Sequence, residues 1–591
     1  MKKKSKRLSF REALREFAPL KKAFVDNRKG LAVGFLCLFI VDGIQLYLPF
    51  IIRDAVDALT RRAATAHDLL TYGMVIVALA GIAGAIRYIW RTLLLGHARI
   101  VERGLRARLY GHIQTLSASF FQDMPTGDLM ARSTNDINSI RMATGIGLVS
   151  LMDGVLMAGA AMCIMIYIHP LLTLIAMAPA PFVILLSRVY SRRMAAGYEA
   201  TQRSFADVTE RVREAFAGIR VVKAYGREEW TRDRVREKSQ DYVRVNLSLA
   251  KNLGMFYPLM SIFTNTGLAV VVGLGGRLAI LDQISIGDFV AFTVYLNLLT
   301  WPMMAMGWVT NLVQRGGASM RRINGILNTM PEITSRVEDV GGLVLDGGIS
   351  IRNLDFVHPG SRTLVLENLN LEIPKGSTTA IVGPVGCGKS TLLHTLVRLI
   401  DPPEGAVFFD GKDVHDISLN QLRRSLGFVT QISTVFSDSV ESNVVFGRPG
   451  ITREQVMEAL AAASFDQDVL EMEKGLDTLV GERGITLSGG QRQRLCLARA
   501  LLEDPPILVL DDALSMVDTR TEETIVNRLL NHRKGRTTIV VTHRMSTLKR
   551  VDNIFVLDKG RLVESGVHQD LIDHKGLYAA LYRRQQLSNG L

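Results

Sequence analysis

The amino-acid sequence predicts an α-helical transmembrane domain of six spanning helices followed by an α/β P-loop domain. Three observations carry that prediction. Six apolar stretches of the kind that cross a bilayer come first, the last ending at Leu312. Two charged helical stretches among them are far longer than a membrane turn needs. Beyond them, Gly383-Pro-Val-Gly-Cys-Gly-Lys-Ser390 fits G-x-x-x-x-G-K-[ST] between a strand-like and a helix-like run.

A chain of 591 residues has room for two or more domains. Its hydrophobic fraction of 48% and mean hydropathy of +0.19 are high for a soluble protein carrying this much charge. The net charge of +13 fits either nucleic-acid binding or a membrane protein with basic cytoplasmic loops. Cys37, Cys163, Cys387 and Cys496 stand far apart without C-x-x-C spacing, so neither a disulfide framework nor a zinc site is expected. The basic start runs into a charged amphipathic segment, so no cleavable signal peptide is expected.

Lys2-Lys-Lys-Ser-Lys-Arg7 is a basic cluster, and Phe10 to Phe24 mixes apolar and charged residues at helical spacing. This predicts an amphipathic helix on the cytoplasmic membrane surface, its cations against anionic lipid; the bland alternative is a disordered basic tail. The spans follow at Gly30–Ile52, Leu69–Trp90, Gly145–Ile168, Leu171–Leu186, Met255–Leu281 and Phe289–Leu312. Only Ile168-His-Pro170 joins the third to the fourth, which predicts a tight hairpin. The connections Arg91–Arg141 and Arg188–Lys251 hold 7 and 15 lysines and arginines, against Arg61, Arg62 and Arg277 in or bordering the three short ones, with Arg53 at the end of the first span. That asymmetry puts the long connections in the cytoplasm and accounts for much of the basic charge without nucleic acid.

Arg53, Asp54, Arg87, Asp153, Asn265, Asn297 and Asn311 lie within or at the end of spans, either on a transport path or in interhelical hydrogen bonds. Asp153 is the most suggestive, because a carboxylate in an apolar span needs water or a partner. Pro179, Pro181, Pro258 and Pro302 are expected to kink their helices. Trp301 and Trp308 fit a cavity wall and a helix interface equally.

In the second domain Thr379-Ala-Ile-Val382 reads as a buried strand, and Thr391 onward as a helix. Gly383, Gly386 and Gly388, with Pro384, Val385 and Cys387 between them, let the backbone wrap round phosphate. Lys389 brings positive charge to the β- and γ-phosphates, Ser390 offers a hydroxyl to Mg²⁺, and Thr391 completes the ATP-binding stretch. Read alone, the pattern also fits a glycine-rich turn with no ligand. Ile507-Leu-Val-Leu-Asp511 is an apolar strand ending in a carboxylate, the Walker B arrangement, which sets Asp511 beside the metal. Leu487-Ser-Gly-Gly-Gln491 heads a helix, where Ser488, Gly489 and Gly490 open an anion site of free N–H groups and helix dipole.

With these motifs in this order the chain resembles the ATP-binding cassette (ABC) proteins, and among them exporter half-transporters of multidrug or lipid type. The likeness runs from about residue 25 to 585. It implies a basic, amphipathic elbow over 1–28, a transmembrane domain over 29–322, a linker over 323–345, an ABC nucleotide-binding domain over 346–585 and a tail over 586–591. It implies ATP and Mg²⁺ as cofactors and a dimer, in which Leu487–Gln491 closes on the γ-phosphate held by the other cassette. Gln431 matches the Q-loop, whose amide reaches Mg²⁺ and the attacking water. His543 matches the switch histidine, and Asp518 the D-loop aspartate that crosses to the other cassette. Phe120–Asp136, where Pro125 and Gly127 break one long helix and start a short one, resembles the first coupling loop. Glu214–Glu228 resembles the second. Leu479-Val-Gly-Glu-Arg-Gly484 resembles a segment that touches those loops.

Two departures are informative. His358 stands where the family stacks a tyrosine on adenine, and Asp512 stands where it has the glutamate that polarises the hydrolytic water. A shorter carboxylate beside an intact signature resembles the degenerate-site subunit of bacterial heterodimeric exporters. The expectation is ATP-driven export of an amphipathic, drug- or lipid-like molecule across the cytoplasmic membrane, with membrane lipids around the chain and no nucleic acid. Its alternatives are a homodimer with two Asp-type sites, and an ATP-gated channel or regulatory nucleotide sensor.

Overall fold

A computed structural model of the chain describes residues 9–62, 64–339, 345–359, 361, 363–481, 486–542 and 544–589. It divides into two units, Met1–Gln114 with Pro125–Thr329, and Thr115–Met124 with Met330–Leu591.

In the first unit Ser9 caps the helix Phe10–Glu16; the Ser9 N–H donates to the Glu12 carboxylate at 2.8 Å while Ser9 Oγ accepts from the Glu12 N–H. The single helix expected over Phe10–Phe24 is in fact broken. A 3-10 turn at Ala18–Leu20 follows, and Lys21–Asp26 restarts the helix. Pro19 explains the break, since it has no N–H to continue the ladder. Nor does Phe10–Glu16 face only lipid. Ala13 is fully buried against Gly317 of the last spanning helix, and Glu16 accepts from Arg321 Nε at 2.7 Å. A Cβ on Gly317 would lie 2.6 Å from Ala13 Cα. Gly317→Val is therefore expected to pry the N-terminal helix loose, at about 1–3 kcal/mol; limited trypsin digestion at Arg15 should speed up.

Among the described residues five helical segments are long and apolar enough to cross a membrane: Arg28–Thr60, Ala66–Thr115, Thr126–Ile168, Pro170–Ala217, which a turn at 177–179 interrupts, and Ile286–Leu327. The remaining expected span falls on Glu228–Val270, which runs through a π turn at Val271–Gly275 into Gly276–Ile280. Its apolar part, Asn265–Ile280, is shorter than the others. At ~1.5 Å per residue Glu228–Val270 is about 65 Å long, twice a hydrocarbon core of about 30 Å. It packs along Ala180–Ala217, and the excess length of both is the charged part of the sequence. The hairpin forms at His169, whose Nδ1 accepts from the Leu172 N–H at 3.1 Å.

The prolines divide. Pro258 and Pro302 sit inside helices, as does Pro49, whereas Pro179 and Pro181 start Ala180–Ala217 instead of kinking a continuous helix. The same chemistry corrects the first loop: the short helix is Ala118–Asp123, before Pro125, and Pro125 heads the long helix Thr126–Ile168. Several polar residues find local partners. Arg53 lies 3.6 Å from Asp288, and Asn297 donates to its own helix at Thr293 O. Buried Asp136 accepts from Ser319 Oγ at 2.9 Å and Arg322 Nε at 2.8 Å, pinning the third spanning helix to the last.

Among the described residues the second unit holds two main sheets and a short antiparallel pair, β7 (Asp438–Ser439) with β8 (Leu479–Val480). β1 (Ile349–Val357), β2 (Leu364–Ile373), β4 (Val407–Phe409) and β5 (Lys412–Asp413) form an antiparallel sheet in the order β2-β1-β4-β5. The other sheet runs β12-β11-β3-β10-β9-β6, from β3 (Thr378–Val382), β6 (Leu426–Val429), β9 (Ile507–Asp511), β10 (Thr537–Val541), β11 (Asn553–Asp558) and β12 (Arg561–Gly566). All its neighbours are parallel except edge strand β12. Every residue of β9 is buried, as a parallel strand covered on both faces must be. Residues 115–124 belong to this unit: Ser117 Oγ accepts from the N–H groups of Glu332 and Ile333, and Ser119 Oγ donates to Glu332 at 2.6 Å.

Candidate nucleotide-binding site

Register alone gathers the site. Val429 of β6 pairs with Leu510 of β9, Asp511 with Val541 of β10, and Val541 with Ile381 of β3. The loops leaving these strands therefore open side by side at the carboxyl edge of the parallel sheet, where α/β folds place ligands. They carry Gln431, Asp511 with Asp512, and Gly383–Gly388. His543 comes two residues after β10 and lies outside the described residues, as do Glu482, Arg483 and Gly484 of the loop-touching segment.

The loop after β3 turns into the helix Lys389–Leu396 through Gly388, whose φ of 103° only glycine adopts without strain. A Cβ there would also meet Val365 O at 2.9 Å. The first N–H groups of that helix have no intrahelical acceptor, so they are free for an anion. Lys389 Nζ folds over the loop, donating to Gly383 O at 2.8 Å and Pro384 O at 2.9 Å. Ser390 Oγ donates to Asp511 Oδ1 at 3.3 Å, which brings the two expected metal ligands together.

Burial raises the Asp511 carboxyl above its ordinary range; the Ser390 hydroxyl, His394 and Lys389 pull it back, and Asp512 pushes it further up. A buried carboxylate whose direct partner among the described residues is a hydroxyl is a good seat for a hard divalent cation, so the donor set fits Mg²⁺. Asp512 has a left-handed backbone with φ of 49°, and its N–H donates to Val541 O at 3.1 Å. Gln431 is exposed just past β6. His358 meets Phe356 edge-on at 5.1 Å and acts electrostatically on His394 of the P-loop helix.

Ser488 caps the helix Gly489–Leu501 in a closed box: its N–H donates to Gln491 Oε1 at 2.9 Å, and the Gln491 N–H donates to Ser488 Oγ at 3.2 Å. The Gln491 amide also donates to Asp468 at 2.9 Å, and Leu487 is buried just ahead. Asp518 is the N-cap of Thr519–His532, accepting from the Thr521 N–H at 3.0 Å, which holds its carboxyl below the ordinary range.

Sequence reasoning missed the two side chains that hold the loop before Asp518. Buried Gln493 donates to Ser515 Oγ at 3.1 Å and accepts from the Met516 N–H at 2.9 Å. Arg544 pairs with buried Glu522 and donates to Ser515 O at 2.8 Å and Val517 O at 2.7 Å. The only sequence signal was proximity, since Gln493 comes just after the signature and Arg544 just after His543. Gln493→Ala strands the Met516 N–H, at about 1–3 kcal/mol, so its amide hydrogen exchange is expected to quicken about 5- to 160-fold.

Comparison with known proteins agrees with this geometry. Residues 31–303 match the family model of the ABC transporter transmembrane region, and residues 366–515 that of the ABC transporter. The chain is 34% identical to the probable multidrug resistance ABC transporter ATP-binding/permease protein YheI of Bacillus subtilis, over 94% of this chain and 95% of that one. This chain is an ABC transporter. It is also 33% identical to the multidrug resistance-like ATP-binding protein MdlA of Escherichia coli, over 98% of each chain. To the ATP-dependent lipid A-core flippase of Syntrophus aciditrophicus it is 33% identical, over 98% of this chain and 96% of that one. The structure of a bacterial Atm1-family ABC exporter with ATP bound superposes with a TM-score of 0.77 at 28% identity, covering 94% of this chain and 98% of that one. The protein is thus a multi-pass ABC exporter half-transporter that binds ATP through its cassette, drives export with it, and works as a dimer.

Proposed function

We propose that this chain is one half of a heterodimeric exporter of amphipathic small molecules in the cytoplasmic membrane of a bacterium. Its own Walker motifs form a weakly hydrolysing ATP site, and its signature completes the active site of its partner. The observation that carries this reading is Asp512 beside an intact, fully capped Ser488 turn. The carboxylate at 512 is set back by one C–C bond from where a glutamate would put it, and a general base must reach within about 2.6–3.2 Å of its target.

In this reading Gly383–Thr391 cradle the phosphates, Lys389 leaves the loop carbonyls for the β- and γ-phosphates, and His358 stacks on the base. Ser390, Gln431 and Asp511 would hold Mg²⁺, which would supply charge neutralisation to the phosphates. His543 and Gln431 orient the attacking water while Asp512 reaches it poorly. Ser488 to Gln491 and Asp518 meet nucleotide across the dimer. ATP acts on the membrane unit only by binding one arrangement of the cassettes more tightly than the other. The printed names of the relatives, multidrug and lipid A-core, are what favour an amphipathic cargo. The second spanning helix, only 6% buried within the protomer over its apolar window, has a face free for lipid or a partner subunit.

The test is ATPase activity of the purified chain alone and of the chain co-expressed with a half-transporter bearing glutamate after its Walker B aspartate. Substantial turnover only in the pair supports the proposal. Equal turnover in both would leave a homodimer with two Asp-type sites.

A further inference from the structure

The transmembrane unit contains a charge cluster that the export reading leaves unused. Asp42, in the middle of Arg28–Thr60, is only 2% exposed. Arg28–Thr60 packs against Leu148–Ile168, whose Asp153 is the carboxyl that bears on Asp42, and among the described residues Asp42 Oδ2 has no hydrogen-bond partner. Arg87 of Ala66–Thr115 acts electrostatically on both carboxyls. Among the described residues no other charged group bears on Asp42; the last spanning helix, which also packs against Arg28–Thr60, adds none. Asp153 was conspicuous in the sequence, but its partner was not.

Counting charge decides what this cluster holds. Two ionised carboxylates and one guanidinium leave a net charge of −1 in the apolar interior. That carries a heavy desolvation cost and sets two like charges against each other. Two neutral acids would leave Arg87 uncompensated. One proton on the pair makes the cluster neutral and supplies the O–H that a carboxyl–carboxylate contact requires.

We propose that Asp42 and Asp153 form a one-proton binding site linking the first and third spanning helices, with Arg87 balancing the remaining negative charge. The proton comes from solvent and forms an O–H···O bridge; no other bond changes. Any movement that separates the two helices, or withdraws Arg87, alters the affinity of the site for that proton. The site therefore loads and unloads as the membrane unit rearranges. This inference is independent of the heterodimer reading and of ATP hydrolysis.

The test is infrared spectroscopy of the full-length protein in lipid nanodiscs at neutral pH, tracking the C=O stretch of protonated carboxyl groups. Wild type is expected to show an aspartic-acid band that shifts in heavy water. Asp42→Asn and Asp153→Asn are each expected to lose the whole band, since the remaining carboxylate then pairs with Arg87. Arg87→Gln is expected to strengthen it, because the second carboxyl must then take a proton too. Asp54→Asn, on the same helix, should leave it intact. Survival of the band in either Asn variant, or its absence from wild type, overturns the proposal. Should a variant fail to fold, carbon-13 aspartate labelling of wild type decides the matter: a protonated carboxyl resonance is expected, and its absence is fatal.

Discussion

Asp512→Glu raises ATP turnover by assemblies made of this chain alone about tenfold or more. General-base catalysis contributes about 10²–10⁴-fold when the base reaches its proton. The glutamate side chain extends the carboxylate by about 1.5 Å, into the range where it can polarise the attacking water. Each tenfold gain is about 1.36 kcal/mol of barrier. The backbone sets a ceiling on the gain. Position 512 is left-handed, with φ of 49°, and its N–H is fixed to Val541 O. Aspartate tolerates that conformation better than glutamate, so part of the improvement is offset. Phosphate release from wild type, Asp512→Glu and Asp512→Asn in nanodiscs is the measurement. Wild type should run slowly, with Asp512→Asn only slightly below it. Brisk wild-type turnover, abolished by Asp512→Asn, would mean that the aspartate is a working base and the impaired-site reading is wrong.

The features legible in the sequence are those whose parts sit close together along the chain. The apolar run Ile507–Leu510 with its terminal Asp511, and the glycine loop after Thr379–Val382, each announce a strand and the functional group at its end. The signature announces its own cap, because Ser488 and Gln491 are three residues apart. Asp42 was unreadable for the opposite reason: it looks like one polar interruption in an apolar helix, and its meaning lies in Asp153, more than a hundred residues on. Gln493 and Arg544 likewise act on residues 515–517 across sequence distance. The local misreadings concern proline, in opposite senses. Pro125 and Pro181, expected to break or kink helices, stand where helices begin, whereas Pro19, inside a stretch expected to be one helix, ends it in a 3-10 turn. Composition cannot separate these roles; the hydrogen bonds on either side do.

The sharpest asymmetry is expected between Ser488 and Asp512 once a glutamate-bearing partner is present. Ser488→Ala confounds two effects, because it removes a cap worth about 0.5–2 kcal/mol along with any contact to nucleotide. Ser488→Asn separates them. Asparagine is as good a cap, so the helix Gly489–Leu501 and the thermal stability should hold, but its larger amide crowds the anion site formed by the first N–H groups. Losing a preorganised donor to a developing anion costs about 10²–10³-fold, so turnover by the heterodimer should fall by that order. Asp512→Asn in the same heterodimer should change turnover less than about twofold, since the working base lies on the partner. On the proposed reading the two residues belong to different composite sites: Ser488 would serve the nucleotide held by the other cassette, Asp512 the one held by its own. Matching losses from the two variants would place both at a single working site and leave the homodimer as the better account.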